Sequence, residues 1–225
     1  MARTSPFPKS NMTKKEKKER MAAIVASLKE VYPEAVCALE FGGEPWRLLV
    51  MGRLSAQCTD ARVNIVCREL FAKYPTLDAL ADAPLEDIEN IVRPCGLFRT
   101  KADSIKRACL MVRDDFGGRV PDNMDDLLLL PGVGRKIANL ILGDIYKQPA
   151  IVADTHCIRI CGRFGMYPTS LKDPTKVEKI MSELVEPSEQ SDFCHRIVQF
   201  GRDTCSARAP KCTVCPIRKL CEYKS

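Results

Sequence analysis

Apolar residues recur along most of the chain at intervals of three and four positions, which is the period of an amphipathic α-helix. In the first such segment Met21, Ile24, Val25 and Leu28 share one face, and Thr13 stands ahead of them as a candidate N-cap. Further helical patterns cover residues 44–57, 60–73, 85–92, 100–115, 123–129, 135–146, 155–165, 174–185 and 190–203. The alternating pattern of β-strands is nearly absent, so we predict an all-α protein.

Prolines and glycines mark the breaks between these helices, and two breaks bear on domain organisation. Residues 1–12 contain two prolines and three serines or threonines, and we expect them to form a flexible tail. The break at residues 148–150, Gln-Pro-Ala, is a candidate boundary between two helical domains. A cleft between such domains would bring residues from either side of this boundary to one site.

Composition narrows the class of protein. The chain has 225 residues, 45% of them hydrophobic and 28% charged, which is typical of a globular protein with a sizeable core. Its net charge of +6 is a mild excess that is compatible with a polyanionic partner. The sequence shows no signal-peptide core and no run of about 20 apolar residues, so we expect a cytoplasmic protein without membrane contact.

Twelve cysteines in a reducing compartment indicate metal binding or catalysis rather than disulfides. Four of them follow the spacing C-x6-C-x2-C-x5-C, namely Cys205, Cys212, Cys215 and Cys221. Four thiolates suit either a zinc ion or a 4Fe–4S cluster, and the spacing alone leaves both open. We expect the remaining eight to be small buried hydrophobic residues: Cys37, Cys58, Cys67, Cys95, Cys109, Cys157, Cys161 and Cys194.

Residues 130–142 read LPGVGRKIANLIL and combine a glycine-bearing turn with the start of an amphipathic helix. Gly132, Val133 and Gly134 form the turn, and glycine lets a ligand approach the backbone closely. The helix that Arg135 begins would present unpaired N–H groups and its positive dipole end, a combination that binds phosphate. An ordinary connection between two helices is the alternative interpretation.

Two side chains near this turn are candidates for catalysis. Lys136 lies in the first turn of a helix beside Arg135, where the helix dipole and the neighbouring charge favour a neutral, nucleophilic amine. Such an amine can form a Schiff base with a sugar C1′, and phosphate binding or solvation is the alternative role. Asp154 would stabilise positive charge on a sugar or relay a proton, or it would simply N-cap the helix that Thr155 begins.

Together these segments resemble the endonuclease III family of DNA glycosylase/AP lyases, in the helix-hairpin-helix superfamily. The similarity extends over nearly the whole chain. The matching motifs occupy residues 54–60, 96–101, 130–139, 154–156 and 201–202, the last leading into the four cysteines. The resemblance implies a six-helix barrel domain with the hairpin over residues 38–148. It also implies an iron–sulfur cluster domain formed by residues 13–37 and 149–225.

The resemblance implies roles for individual residues as well. Lys136 would be the Schiff-base nucleophile and Asp154 its partner carboxylate. The four cysteines would hold a structural 4Fe–4S cluster, and catalysis would need no divalent metal. Seven residues would contact the DNA: Gln57, Leu97, Gly132, Val133, Gly134, Arg135 and His156. Gln57 and Leu97 would enter the duplex and fill the gap left by an extruded nucleotide.

The predicted activity is that of a bifunctional glycosylase in base excision repair. The enzyme would remove oxidised or damaged pyrimidines from double-stranded DNA and cleave the strand 3′ to the abasic site by β-elimination. It would act as a monomer, at the nucleoid of a prokaryotic cell, on DNA with damaged pyrimidines or abasic sites. The alternatives are a monofunctional adenine or mismatch glycosylase, a non-catalytic damage sensor and a zinc-binding nucleic-acid module. Lys136 argues against the first, and Lys136 together with Asp154 argues against the second.

Several positions depart from the residues that are usual in the family. Ile137, Ala153 and Cys58 replace a common Thr, Val and Ala. The run Met51-Gly52-Arg53 stands in a stretch that is usually aliphatic, and Phe98-Arg99 replaces a common Tyr-Asn. None of these changes removes a catalytic atom. They bear on lesion preference rather than on the type of reaction.

Overall fold

The computed structural model describes residues 12–223, and the regular elements in that range are all helical. Its α-helices are α1 (Lys14–Val31), α2 (Pro45–Leu54), α3 (Asp60–Lys73), α4 (Leu77–Asp82), α5 (Leu85–Val92), α6 (Phe98–Asp114), α7 (Met124–Leu129), α8 (Arg135–Asp144), α9 (Thr155–Arg163), α10 (Pro174–Leu184) and α11 (Gln190–Asp203). Short 3-10 turns occupy Arg93–Cys95, Pro187–Glu189, Cys212–Val214 and Arg218–Leu220. The predicted all-α class is confirmed. Within the described residues no helix is both long and apolar enough to span a membrane.

Helix α1 shows how the local sequence fixes a helix start. The Thr13 hydroxyl accepts a hydrogen bond from the Glu16 backbone N–H at 3.3 Å, and the Glu16 carboxylate accepts one from the Thr13 N–H at 2.7 Å. This reciprocal capping satisfies two donors that the helix itself leaves unpaired. Met21, Ile24 and Leu28 are then buried along one face, so the predicted first helix is confirmed.

Helices α8 and α9 each end two residues before their predicted ends, and three further differences concern α4, α2 and α6. Helix α4 was not predicted, although Thr76 is its N-cap and Leu77, Leu80 and Ala81 recur at helical spacing. Helix α2 ends at Leu54 rather than at residue 57, since Gln57 adopts a left-handed conformation with φ of 55°. Helix α6 begins two residues early, directly after Leu97, which is left-handed as well.

Contacts within the chain divide it into two compact units. The first, which we call the central unit, is continuous from Cys37 to Lys147 and carries helices α2 to α8. Its fully buried apolar side chains come from most of these helices, and they include Leu48, Val63 and Ile105. Assignment of this unit as a DNA-binding barrel remains a prediction.

The second unit, which we call the discontinuous unit, combines residues 12–36 with residues 148–223. Helix α1 packs against α10 and α11, and α9 packs against α11. The core between them is rich in aromatic side chains, with Phe164 and Phe200 in tilted ring contact at 6.1 Å. The predicted tail lies outside the described residues except for Met12, which is buried in this core.

Candidate functional site

The predicted hairpin is formed by α7, a tight turn and α8. The Val133 N–H donates to the Leu130 carbonyl at 3.0 Å, and Gly132 adopts a φ of +79° that side-chain-bearing residues rarely adopt. Helix α8 begins at Arg135 after Gly134, with no side chain capping its first N–H groups. The N–H groups at the start of a helix and its positive dipole end form the kind of site that binds an anion.

Close packing also requires glycine in this turn. A Cβ atom added to Gly132 would lie 2.5 Å from Arg53 Nε and 2.9 Å from Ser104 Cβ. Arg53 Nε donates to Ser104 Oγ at 2.7 Å, so an arginine of α2 and a serine of α6 meet beneath the turn. The hairpin therefore rests on two other helices of the central unit.

Lys136 is the second residue of α8 and its side chain is exposed. Among residues 12–223 it has no hydrogen-bond or ion-pair partner, so its amine is accessible to a ligand. Behind it, Ile137 packs against α2: a Cβ atom added to Gly52 would lie 3.1 Å from Ile137 Cγ2. Two of the unusual residues noted in the sequence therefore fit each other, because the missing side chain at Gly52 makes room for Ile137.

Asp154 is the N-cap of α9, as one interpretation of the sequence proposed. Its Oδ1 accepts a hydrogen bond from the Cys157 N–H at 2.8 Å, which fixes the carboxylate in a half-buried position. Within the described part of the chain no donor reaches the second oxygen, Oδ2. The capping role therefore leaves one oxygen for chemistry. Lys136 belongs to the central unit and Asp154 to the discontinuous unit, and their predicted juxtaposition remains a prediction.

His156 lies in the first turn of α9. Through Arg159 it is linked to residues 205–221, which carry the four cysteines and which we call the cysteine segment. The His156 Nδ1 lies 3.2 Å from an Arg159 guanidinium nitrogen, which also donates to the Cys205 carbonyl at 3.1 Å. Gly201 of α11 lies so close to the His156 ring that no side chain could be accommodated there. The glycine of the 201–202 motif therefore makes room for this histidine.

Gln57 and Leu97 share two unusual properties. Both are exposed, Leu97 to 61%, and both have positive φ values, 55° and 48°. Residues other than glycine rarely adopt this conformation, and they keep it only where their surroundings enforce it. An exposed leucine at such a position is not a core residue, which fits the inserting role that the family resemblance implies.

All four cysteines of the predicted ligand set line one cavity in the discontinuous unit. Arg163 reaches this segment from the end of α9, and its guanidinium donates to Cys205 Sγ at 3.2 Å, to the Ser206 carbonyl at 2.8 Å and to the Ala207 carbonyl at 2.9 Å. The Cys221 thiol donates to the Arg163 carbonyl at 3.3 Å. One buried arginine thus organises both ends of the cysteine segment.

The prediction for the other cysteines is correct for six of them and wrong for two. Cys67, Cys95, Cys109, Cys157, Cys161 and Cys194 are buried. Cys37 and Cys58 are only half-buried, because each lies in a connection beside a helix rather than on an apolar face. Burial raises the pKa of the Cys95 thiol to about 11, which makes it a poor nucleophile at neutral pH.

Three residues that support these segments had no predicted role: Arg53, Lys101 and Arg163. Arg53 was noted only for standing in a usually aliphatic stretch, and Lys101 only as the last residue of the 96–101 motif. Each is a cation with at least one partner more than 40 positions away in the chain, and Arg163 and Lys101 are buried. The signal that would have found Lys101 is its position four residues before Ile105 on the apolar face of α6. A charge on such a face requires a partner in the interior.

Comparison with known proteins decides the family. The family described as "HhH-GPD superfamily base excision DNA repair protein" matches residues 50–187. Endonuclease III of Synechocystis is 40% identical over 206 residues, which are 91% of this chain and 93% of that protein. The chain belongs to the endonuclease III family. The enzyme from Escherichia coli K12 is 35% identical over 207 residues, 92% of this chain and 97% of that protein. The predicted class, a DNA glycosylase of base excision repair, is thereby confirmed.

Solved structures agree with this assignment. A trapped covalent intermediate of endonuclease III with DNA and a non-covalent endonuclease III–DNA complex both match with a TM-score of 0.86 and 38% identity, covering 94% of this chain and 96% of the other. A thermostable thymine-DNA glycosylase shares the fold, with a TM-score of 0.81 and 23% identity over 90% of this chain and 95% of its own. Endonuclease III enzymes carry a 4Fe–4S cluster.

Proposed function

We propose that this protein is a bifunctional DNA glycosylase/AP lyase that removes damaged pyrimidines from duplex DNA, with Lys136 as its nucleophile. The observation that carries the proposal is the position of Lys136, an exposed and unpartnered amine directly behind an anion-binding turn. A phosphate held by that turn would bring a nucleotide within reach of the amine. The relative trapped in covalent linkage to DNA supports a reaction of this type.

The reaction proceeds in two stages. The Lys136 amine attacks the sugar C1′, the glycosidic bond breaks, and the damaged base leaves with the bonding electrons and takes up a proton. The sugar ring then opens: the C1′–O4′ bond breaks, O4′ takes up a proton, and C1′ is left doubly bonded to the lysine nitrogen as a protonated imine. This imine makes the C2′ proton acidic; its removal expels the 3′ phosphate by β-elimination and breaks the strand. Water then hydrolyses the imine and releases the lysine. Asp154 Oδ2 would stabilise positive charge on the sugar and exchange protons with the amine.

The DNA contacts follow from the geometry of each segment. The turn from Gly132 to Gly134 and the Arg135 N–H would bind a backbone phosphate. His156 would approach the backbone near the reacting sugar. Gln57 and Leu97 would fill the space left when the damaged nucleotide is extruded from the stack, a process that costs a few kcal/mol, about what binding contacts can offset.

We assign the four cysteines as the ligands of a 4Fe–4S cluster rather than of a zinc ion. All four line one cavity. Within residues 12–223 no three Cys, His, Asp or Glu side chains converge closely enough to hold a single metal ion. Ligands that surround a common space at this wider spacing fit a larger group, and four thiolates are the ligand set of such clusters. The cluster, when bound, would cross-link the segment from Cys205 to Cys221 without taking part in the reaction.

We further propose that the enzyme acts as a monomer on chromosomal DNA in the cytoplasm of a bacterium. A single chain supplies the hairpin turn, the Lys136 amine and the inserting residues Gln57 and Leu97 that act on one lesion. The proposed chemistry therefore needs no second subunit. Basic residues of the cysteine segment, Arg208 and Lys211, are exposed and would add contacts to phosphates.

The decisive experiment is borohydride trapping on duplex DNA with a single thymine glycol. Wild-type protein is expected to form a covalent adduct, and Lys136→Gln is expected to form none because the amine is gone. Asp154→Asn keeps the cap acceptor and should bind the lesion while trapping slowly, on the order of a hundredfold slower. Tight lesion binding by wild-type protein without any adduct would favour a monofunctional glycosylase or a damage sensor instead.

A further inference from the structure

Lys101 is a fully buried lysine that bonds to two segments of the central unit. Its exposed fraction is 0%, and its ammonium donates to the Leu54 carbonyl at 2.9 Å and to the Cys95 carbonyl at 2.8 Å. Leu54 is the last residue of α2, and Cys95 ends the 3-10 turn ahead of α6. One side chain therefore joins the ends of two separate elements.

Each of the two carbonyl groups belongs to a residue that shortly precedes one of the predicted DNA-inserting residues. Gln57 follows Leu54 by three positions, and Leu97 follows Cys95 by two. The local hydrogen bonds shape each loop by itself: the Cys58 N–H donates to the Ser55 carbonyl at 3.1 Å in the first loop. The Lys101 ammonium acts on both loops at once, so it determines where one loop lies relative to the other.

A purely structural role would not require a charge at this position. Lys101 lies on the apolar face of α6, where an aliphatic side chain of similar length would fill the same volume. Burial makes the charged form unfavourable and lowers the pKa of Lys101. The hydrogen bonds to the two carbonyls offset that cost, and their geometric effect is to fix the loops that follow.

We propose that Lys101 is a positioning residue that sets the spacing between Gln57 and Leu97, so that both side chains can enter the duplex together. This inference rests on the inserting role proposed above for these two residues. Their left-handed backbones make the requirement stricter, because a conformation that is intrinsically unfavourable relaxes once its anchor is removed.

The same helix supplies a matched control. Lys106, also on α6, donates to the Ala81 carbonyl at 3.0 Å and to the Ala83 carbonyl at 2.6 Å, at the end of α4. Lys106 thus makes the same kind of hydrogen bonds as Lys101, but not to the segments that precede Gln57 and Leu97. Lys101→Met and Lys106→Met thus remove the same group and the same number of hydrogen bonds from one helix. Lys101→Gln, which retains a donor, serves as the test variant if the methionine variant does not fold.

Two substrates separate positioning from general damage to the enzyme. The first is duplex DNA with thymine glycol beside 2-aminopurine, whose fluorescence reports loss of stacking. The second is a single-stranded abasic site, which needs no insertion, assayed by borohydride trapping. We expect Lys101→Met to lower the single-turnover rate on the duplex by about tenfold or more, because small misplacements of positioned groups have effects of this size. Trapping on the single strand should stay within about twofold of wild type, as should Lys106→Met on both substrates.

A double substitution ties the effect to the inserting side chain. Adding Lys101→Met to Leu97→Ala should lower the duplex rate by less than about twofold further, since residues acting through one contact are not additive. Equal losses for Lys101→Met and Lys106→Met on both substrates would show a structural role only and overturn the inference. The inference would also be overturned if Leu97→Ala kept the wild-type single-turnover rate on the duplex. Absence of trapping by wild-type protein on either DNA would instead contradict the proposed lyase function.

Discussion

The two units hold their functional segments in different ways. In the central unit the hairpin turn lies between regular helices, and Gly132 allows Arg53 and Ser104 to approach its backbone. In the discontinuous unit the cysteine segment follows the end of α11 at Asp203, and up to residue 223 its only regular elements are two 3-10 turns. The first arrangement depends on close packing, the second on side chains that reach in from elsewhere.

The difference follows from the hydrogen-bond partners that the backbone of each segment requires. A helix pairs its own backbone groups, so the hairpin needs only a surface to rest on. An irregular segment leaves carbonyls without partners, and buried carbonyls must be satisfied. Arg163 and Arg159 supply donors to the cysteine segment, while Arg20 of α1 donates to the Phe164 carbonyl and pairs with Glu222 at 2.8 Å. Long arginine side chains, of which Arg20 and Arg163 are buried, thus replace the missing helical hydrogen bonds.

The largest expected effect is therefore that of Arg163→Met. It removes the donors to Cys205, Ser206 and Ala207, and we expect a loss of about 3 kcal/mol or more in unfolding free energy, because buried groups are left unpaired. Iron and sulfide content should fall together with the thermal midpoint. Arg208→Met removes the same charge from an exposed position of the segment and should leave both unchanged. Full iron content in Arg163→Met would show that the cysteines organise themselves.

A smaller effect is expected in the hairpin. Gly132→Ala places a Cβ against Arg53 and Ser104 at a positive φ, and we expect a loss of about 1–3 kcal/mol. DNA affinity should fall with it, as measured by anisotropy at fixed salt, while iron content stays at the wild-type level. The matched control for the packing cost is Gly134→Ala: its φ is −108° and its Cβ would meet nothing within 4 Å, so the unfolding free energy should hardly change. Equal effects of the two substitutions would refute the packing argument.

The smallest expected effect is on the stability of the folded protein at low pH. Hydrogen bonds from Lys29 and Arg196 hold the pKa of Glu189 below its usual range, and Lys73 and Tyr74 do the same for Asp87 in the central unit. A carboxylate whose pKa is lower in the folded state than in the unfolded state stabilises the folded protein. That stabilisation is complete at pH values above the unfolded-state pKa of about 4, and it is lost as the pH falls through the folded-state pKa. Glu189 joins the two chain segments of its unit through Lys29, whereas Asp87 makes contacts within one segment.

Glu189→Gln should therefore lower the thermal midpoint at pH 7, and the difference from wild type should vanish as the pH approaches about 3. We expect about 1 kcal/mol or less, because the carboxylate is partly exposed and solvent screens the pair. Asp87→Asn should follow the same trend with a smaller change, measured by calorimetry across the same pH range. A midpoint difference that persists undiminished at low pH would rule out the ionic origin.

Much of the fold was predictable because helical periodicity and caps are local properties. Thr13, Asp154 and the glycines of the hairpin could be identified from neighbours within a few residues. Helix α4 was missed although Leu77, Leu80 and Ala81 recur at helical spacing behind the N-cap Thr76. Lys101 and Arg163 were missed for a different reason: the sequence can mark a buried cation by its position on an apolar face, but it does not show which groups of other segments the cation contacts. The fit between Gly52 and Ile137 likewise needed the packing of α2 on α8.

The order in which the chain is synthesised gives the discontinuous unit a further consequence. Helix α1 is made early, yet the helices that cover its apolar face, α10 and α11, follow only after the entire central unit. About 170 residues separate α1 from the end of α11, which at ribosomal rates of about 5–20 residues per second is a delay of roughly 10–35 s. During that interval Met21, Ile24 and Leu28 have no native partner, and we expect this helix to be where a chaperone engages the nascent protein.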